Sequence, residues 1–251
     1  MRNLRMALAF LTRIPLTPSG PVVFPAPAIA VWFPIAGLVI GGLVGSIYWV
    51  AVQFLPTLPA AVLAVGCGIL VTGAFHDDGL ADTFDALGGG RDQESVLRIF
   101  KDSRLGTFGV AALSLSILLR VTLLGSLDGT AGFFTLVAAH GLGRGVTAAT
   151  MGFASPATSG LGTSLMTGFT RRHAAAAGVL ALGIGGLLLG LPGVIGFVIT
   201  VAAAAILVRW ATSKAGGITG DVLGAIEQFG EMSVLLAAAA AIDHWSIPWW
   251  I

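Results

Sequence analysis

Residues 28–55 read AIAVWFPIAGLVIGGLVGSIYWVAVQFL, without one charged side chain. Wound as an α-helix, the run would be about 42 Å long, more than the roughly 30 Å of hydrocarbon in a bilayer requires. The same texture recurs at about 60–75, 105–127, 132–153, 174–191, 193–212 and 222–242. Glu227 and Glu231 interrupt the last of these, so an interfacial helix competes with a full span there. The reading is an all-α polytopic membrane protein: about seven transmembrane helices forming one integral membrane domain over 1–251.

Composition agrees. The 251 residues are 56% apolar and 10% charged, whereas soluble domains carry about 25% charged residues. Such a chain has too little polar surface to hydrate a globule, so its main solvent is the lipid bilayer. A net charge of +1 argues against a basic polymer-binding patch, and no nucleic-acid partner is expected. The single Cys67 cannot form an intramolecular disulfide and reads as a packing residue. The apolar stretch 6–11 is too short for a signal-peptide core, and Arg13 follows it. A short amphipathic helix at the interface is expected instead, with Arg2, Arg5 and Arg13 among the headgroups. The glycine pairs at spacing four, such as Gly37 and Gly41, read as helix-packing contacts.

Lysine and arginine set the orientation. With seven spans, the N-terminus shares a side with segments 76–104, 154–173 and 213–221. That side collects Arg91, Arg98, Lys101, Arg104, Arg171, Arg172 and Lys214, while the opposite loops hold no basic residue. The positive-inside rule then makes the N-terminus cytoplasmic. Trp245, Trp249 and Trp250 would anchor the other face.

Chemistry concentrates in two cytoplasmic segments, about 76–109 and 213–231. Seven of the twelve acidic residues lie between 77 and 102. In His76-Asp77-Asp78-Gly79-Leu80-Ala81-Asp82-Thr83-Phe84-Asp85, the residues Asp78, Asp82 and Asp85 are spaced i, i+4, i+7. On a helix they share one face. Adjacent carboxylates repel unless a cation intervenes, and this spacing suits Mg²⁺, with Asp77 as a further candidate ligand. Gly88, Gly89 and Gly90 would let backbone amides approach an anion. Arg91, Lys101 and Arg104 supply cations for phosphate oxygens, with Asp102 interleaved. Thr219 and Asp221, in the second segment, either complete the site or cap the last helix. Arg144, inside the fourth span beside His140, is a substrate-binding candidate because ionisable groups are rare in hydrocarbon; a buried partner such as Glu231 is the alternative. Arg120 reads as structural and near an interface.

These motifs resemble the cobalamin synthase family (adenosylcobinamide-GDP ribazoletransferases). The resemblance rests on His76-Asp77-Asp78-Gly79-Leu80-Ala81-Asp82-Thr83, Gly88-Gly89-Gly90, Lys101-Asp102-Ser103-Arg104-Leu105-Gly106-Thr107, Gly216-Gly217-Ile218-Thr219-Gly220-Asp221 and the opening Phe10-Leu11-Thr12-Arg13-Ile14-Pro15. Ala86 and Asp77 stand where the family more often has glycine and glutamate. The resemblance implies a Mg²⁺-dependent enzyme of the bacterial inner membrane. It would join adenosylcobinamide-GDP to α-ribazole, or its 5′-phosphate, with release of GMP. In that reading His76, Asp78, Asp82, Asp102 and Asp221 are catalytic candidates. A carboxylate or His76 removes the hydroxyl proton. Association with other cobalamin-biosynthesis enzymes is a hypothesis; unchanged flux after separating them would count against it. A cation-coupled transporter using the Asp-rich helix is the main alternative, although such sites usually sit at mid-membrane. A CDP-alcohol phosphotransferase fits less well, because those enzymes place Arg after the Ala and this chain has Asp82.

Overall fold

A computed structural model describes residues 2–16 and 29–241. Its helices, in chain order, are α1 (Arg2–Leu11), α2 (Phe33–Ala51), α3 (Thr57–Thr72), α4 (Phe75–Gly89), α5 (Gln93–Ile99), α6 (Thr107–Gly125), α7 (Gly129–Thr150), α8 (Leu161–Ser164), α9 (Arg171–Leu189), α10 (Leu191–Ala215) and α11 (Gly220–Ala241). Among the described residues the only β-type pairing is one parallel bridge, Pro156 to Ile218. Helix starts follow local capping chemistry. Asp128 accepts from the amides of Thr130 and Ala131 at the head of α7 (2.8 and 2.9 Å), and Asp92 and Ser95 close a capping box on α5.

All seven expected stretches are helical, but they differ as membrane elements. Five helices are each long and apolar enough to cross a bilayer: α2 with its preceding turn, α6, α9, α10 and α11. A sixth span exists only if α3 and α4 are counted together across an 88° bend. The helix of the fourth stretch, α7, is not among the five. Its position explains why: α2, α9 and α11 surround it, and most of its side chains are buried, His140 and Arg144 included. Protein rather than lipid is its solvent, so it needs no uniformly apolar surface. Gly37 and Gly41 let α2 lie directly on it; a Cβ at Gly41 would sit 2.6 Å from the carbonyl oxygen of Leu136. In α11, Glu227 and Glu231 do not stop the helix, which runs through both for 22 residues.

The N-terminal helix α1 is amphipathic as expected, burying Ala7 and Leu11 while Arg2 and Arg5 stay exposed. The segment after it clasps the α3–α4 corner. There Gly73 (φ 65°) and Ala74 (φ 58°) are consecutive left-handed residues, a conformation costing an alanine about 1 kcal/mol. The Arg13 amide donates to Val71 (2.8 Å), and the Arg13 side chain lies where a Gly73 Cβ would project. The corner turns α4 away from α3 and seats it between α6 and α11. Trp245, Trp249 and Trp250, the expected aromatic anchor, lie outside the described residues.

Candidate active site

Helix α4 separates two polar systems. His76 and Asp77 point into the bundle and are 4% exposed, whereas Asp78 is exposed and Asp82 half-buried on the outer face. The start of α11 is pressed against this outer face. A Cβ added at Gly79 would lie 2.9 Å from the Asp221 carbonyl oxygen, 3.1 Å from its Cα and 3.3 Å from the Cα of Gly224. Only two facing glycines permit that approach, and it brings the half-buried Asp221 beside the α4 carboxylates. Asp82 lies within electrostatic range of Asp78, Asp221 and Asp85. No hydrogen bond or ion pair engages the side chains of Asp78 or Asp82 among the described residues. The Thr219 hydroxyl donates to Asp221 Oδ2 (3.1 Å) and accepts from the Val222 amide (3.4 Å). Thr219 thus caps α11 and orients Asp221.

The other two aspartates expected to bind metal are committed elsewhere. Asp85 accepts the amide of Gly106 on Oδ2 (2.6 Å) and that of Gly109 on Oδ1 (2.8 Å). It caps the first turn of α6 from a neighbouring helix, where a negative charge suits the orphan amides. Asp77 pairs with Arg120 Nη2 at 2.5 Å inside the bundle. The i, i+4, i+7 face is therefore present, but its open carboxylates are Asp78 and Asp82, with Asp221 joining from across the helix contact.

The glycine triplet ends α4, with Gly88 and Gly89 exposed and Gly90 buried. Gly88 and Gly89 finish α4, with the Phe108 ring against Gly88, and Gly90 caps the helix at φ −73° beside Val96. With no left-handed residue, the segment forms no amide nest for an anion. Lys214 Nζ donates to the Gly90 carbonyl (2.9 Å) and Gln93 to that of Ala215 (3.1 Å), fastening the end of α4 to the end of α10. The segments before α8 and α11 are joined likewise: Ala157 N donates to Ile218 O (2.8 Å) and Ile218 N to Ser155 O (2.9 Å). Arg91, Arg98 and Lys101 are exposed on the segment after α4. Arg104 is held by Asp102 in a two-pronged contact, Nε to Oδ1 at 3.0 Å and Nη2 to Oδ2 at 2.7 Å. These bonds hold the Asp102 carboxyl down at about 2, so it stays ionised and is a poor proton acceptor.

The second system lies inside the bundle. Arg144 is 1% exposed, reaches Glu231 at 3.4 Å and forms a closer pair with Glu227, so its guanidinium is engaged inside the bundle. The alternative of a buried Glu231 partner is the one found. His76 Nδ1 lies 3.5 Å from Glu227 and 3.4 Å from Arg144 Nη2, facing away from Asp78 and Asp82. Arg120, expected near an interface, is 4% exposed and bridges Asp77 to Glu231 (3.3 Å). His140 completes the cluster at 2.6 Å from Glu231. The cluster lines a small enclosed cavity of about 20 Å³, space for a single water. Glu227, Gln228 and Arg120 are the members that motif reading missed. The signal for Glu227 and Arg120 was an ionisable residue inside an apolar helix, which hydrocarbon forces into a pair; neutral Gln228 carries no such signal.

His140, Glu227 and Glu231 are the only described acidic or histidine side chains that converge to within 4.8 Å as a trio. Arg144 Nη1 already sits among them, 2.9 Å from His140 Nδ1, so a guanidinium takes the place a metal ion would need. Asp78, Asp82 and Asp221 are spread more widely and reach solvent. That openness fits a Mg²⁺ ion, which keeps waters and accepts substrate phosphate oxygens beside one or two carboxylates.

Residues 3–239 match the family model described as cobalamin-5-phosphate synthase. The chain is 41% identical over 247 residues to a protein of Bradyrhizobium diazoefficiens, covering 95% of this chain and 93% of that one. It is 38% identical over 245 residues to one of Mesorhizobium japonicum (96% and 94%) and 35% over 241 to one of Clostridium novyi (94% and 96%). Each of these relatives is named adenosylcobinamide-GDP ribazoletransferase. No solved structure matches. By the extent of the family match and the identity to its relatives along nearly their whole length, this chain belongs to the cobalamin-5-phosphate synthase family.

Proposed function

We propose that the protein joins adenosylcobinamide-GDP to α-ribazole, or to its 5′-phosphate, and releases GMP. Membership of the family carries the reading, and the open carboxylate face of Asp78, Asp82 and Asp221 gives it a place to happen. The α-ribazole hydroxyl attacks the phosphorus that bears the cobinamide, the P–O bond to the GMP phosphate breaks, and GMP departs with the electron pair. Asp78, Asp82 and Asp221 would hold Mg²⁺, which when bound neutralises diphosphate charge and eases departure of the leaving group. Thr219 keeps Asp221 aimed at the site. Exposed Lys101 and Arg91 would bind the remaining phosphate oxygens, with Arg104 contributing charge from its place on Asp102. With His76 turned into the bundle and Asp102 tied to Arg104, the hydroxyl proton falls to one of the three open carboxylates.

The basic residues crowd the end of the bundle that carries these carboxylates, which supports a site facing the cytoplasm in an inner membrane. A transporter gains nothing from the comparisons. It also fits the geometry poorly, because the carboxylates of the bundle interior are engaged by Arg120 and Arg144. The test is incubation of detergent-purified protein with adenosylcobinamide-GDP and α-ribazole, with Mg²⁺ or EDTA, following cobalamin and GMP by chromatography. Mg²⁺-dependent formation of both is expected, with Asp82→Asn reducing the rate at least about 100-fold. No product from folded, lipid-supplied protein would overturn the activity. Full activity and unchanged Mg²⁺ dependence in Asp82→Asn would remove the metal assignment.

A further inference from the structure

An apolar groove of about 490 Å³ runs along the outside of the bundle between α7, α9 and α10. Ala149 and Phe153 of α7, Ala174 and Gly178 of α9, and Phe197 and Val208 of α10 are among its walls. Its one hydroxyl, Thr150, is already spent on the Val146 carbonyl (2.9 Å). The groove therefore offers a ligand no unused side-chain hydrogen-bonding group and suits a hydrocarbon chain. Phe197 and Val208 are eleven residues apart, about 17 Å of helix, against roughly 15 Å for the hydrocarbon of one leaflet.

One end of the groove is charged. Arg171 begins α9 three residues before Ala174 and seven before Gly178, on the same helical stripe that lines the groove. Arg172 follows it on α9, Arg209 follows the groove-lining Val208 on α10, and all three are exposed. The first turn of α9 holds no acidic residue. This is the end where α7 and α10 finish and α9 begins, so it lies on the same side as Asp221, which follows α10 in the chain.

We infer that the groove holds one acyl chain of an anionic glycerophospholipid from the leaflet on the active-site side, its phosphate seated on Arg171 with Arg172 and Arg209 beside it. The chain length matches one leaflet and the head end matches an anion.

The test uses full-length protein in detergent, stripped of lipid and titrated with dioleoylphosphatidylglycerol or dioleoylphosphatidylcholine, with bound lipid counted by native mass spectrometry. One phosphatidylglycerol per chain is expected, bound more tightly than phosphatidylcholine. Arg171→Gln changes an exposed side chain and should weaken phosphatidylglycerol roughly fivefold, the worth of one basic residue at a lipid surface, and phosphatidylcholine, whose ammonium offsets its phosphate, by less. Gly178→Phe should weaken both lipids; a Cβ there meets only the Ala149 Cβ, at 3.8 Å, so the ring fills the groove rather than the core. Equal binding of the two lipids by the unaltered chain would overturn the site. So would unaltered phosphatidylglycerol binding in Arg171→Gln, or unaltered binding of both lipids in Gly178→Phe.

Discussion

Replacing Gly79 by alanine puts one methyl group between α4 and α11, at the contact that brings Asp221 to Asp78 and Asp82. The new Cβ would stand 2.9 Å from the Asp221 carbonyl oxygen and 3.1 Å from its Cα. Ordinary contact begins at 3.4 Å, so α11 must retreat by about 0.5 Å, and backbone cannot swing aside as a side chain can. Overpacking of this kind costs about 1–3 kcal/mol, offset by about 1 kcal/mol from replacing a helical glycine. Stability should thus fall by no more than about 2 kcal/mol. Activity is more sensitive: a displacement of about 1 Å at a reacting centre costs on the order of 100-fold, so half of that should cost roughly tenfold. The matched control is Gly224→Ala, on the partner side of the same crossing, whose Cβ would meet the Cα atoms of Gly79 and His76 at 3.4 Å. That variant should keep near-normal turnover. GMP release at saturating substrate and thermal unfolding in detergent, measured on both proteins, decide the matter. Equal turnover in the two variants, whether both active or both impaired, would refute the argument that the closeness of this crossing builds the site.

Two further outcomes separate the site from its scaffold. Asp85→Asn keeps one acceptor oxygen but loses a charge-assisted bond to α6, so it should destabilise by about 1.5–3 kcal/mol. The Mg²⁺ concentration for half-maximal rate should not move, whereas a direct metal ligand would shift it. Arg144→Gln leaves Glu227 and Glu231 short of a cation, a loss of about 3–5 kcal/mol by thermal unfolding; adding Glu227→Gln should restore most of it.

Much of the architecture was legible because hydrocarbon demands long apolar runs, and all seven runs became helices. The difference at α7 and at the α3–α4 corner has a physical origin. A span-by-span reading treats every helix as facing lipid. It therefore has no means of seeing that α7 is wrapped by protein, or that Gly73 and Ala74 bend the chain by a right angle. The site was legible to the level of one helical face. Periodicity placed Asp78, Asp82 and Asp85 together, but spacing alone cannot say which carboxylate meets a helix N-terminus. That is decided by Gly106 and Gly109, more than twenty residues away. Neighbouring Asp77 and Asp78 look equivalent in sequence, yet successive helical positions differ by about 100° and one of the two faces inward. Arg144 stands out in the sequence because an isolated cation in hydrocarbon needs a partner; Glu231, one of its two partners on α11, is the one the sequence suggests, and Glu227 is the other.

The pairing of Arg144 also bears on the order in which the chain is made. Arg120 can meet Asp77, which is synthesised before it. Arg144 must wait for Glu227 and for Glu231, the latter 87 residues later. At 5–20 residues per second that interval is roughly 4–17 s. During it, an arginine costing about 2.5–3.5 kcal/mol in an isolated span has only the histidines His140 and His76 beside it and no carboxylate. The central helix would therefore remain at the insertion machinery, or tilted into the interface, until the last helix arrives with its carboxylates. Membrane integration of this protein is then completed from its C-terminal end, and a chain truncated before Glu227 should fail at insertion before it could fail at catalysis.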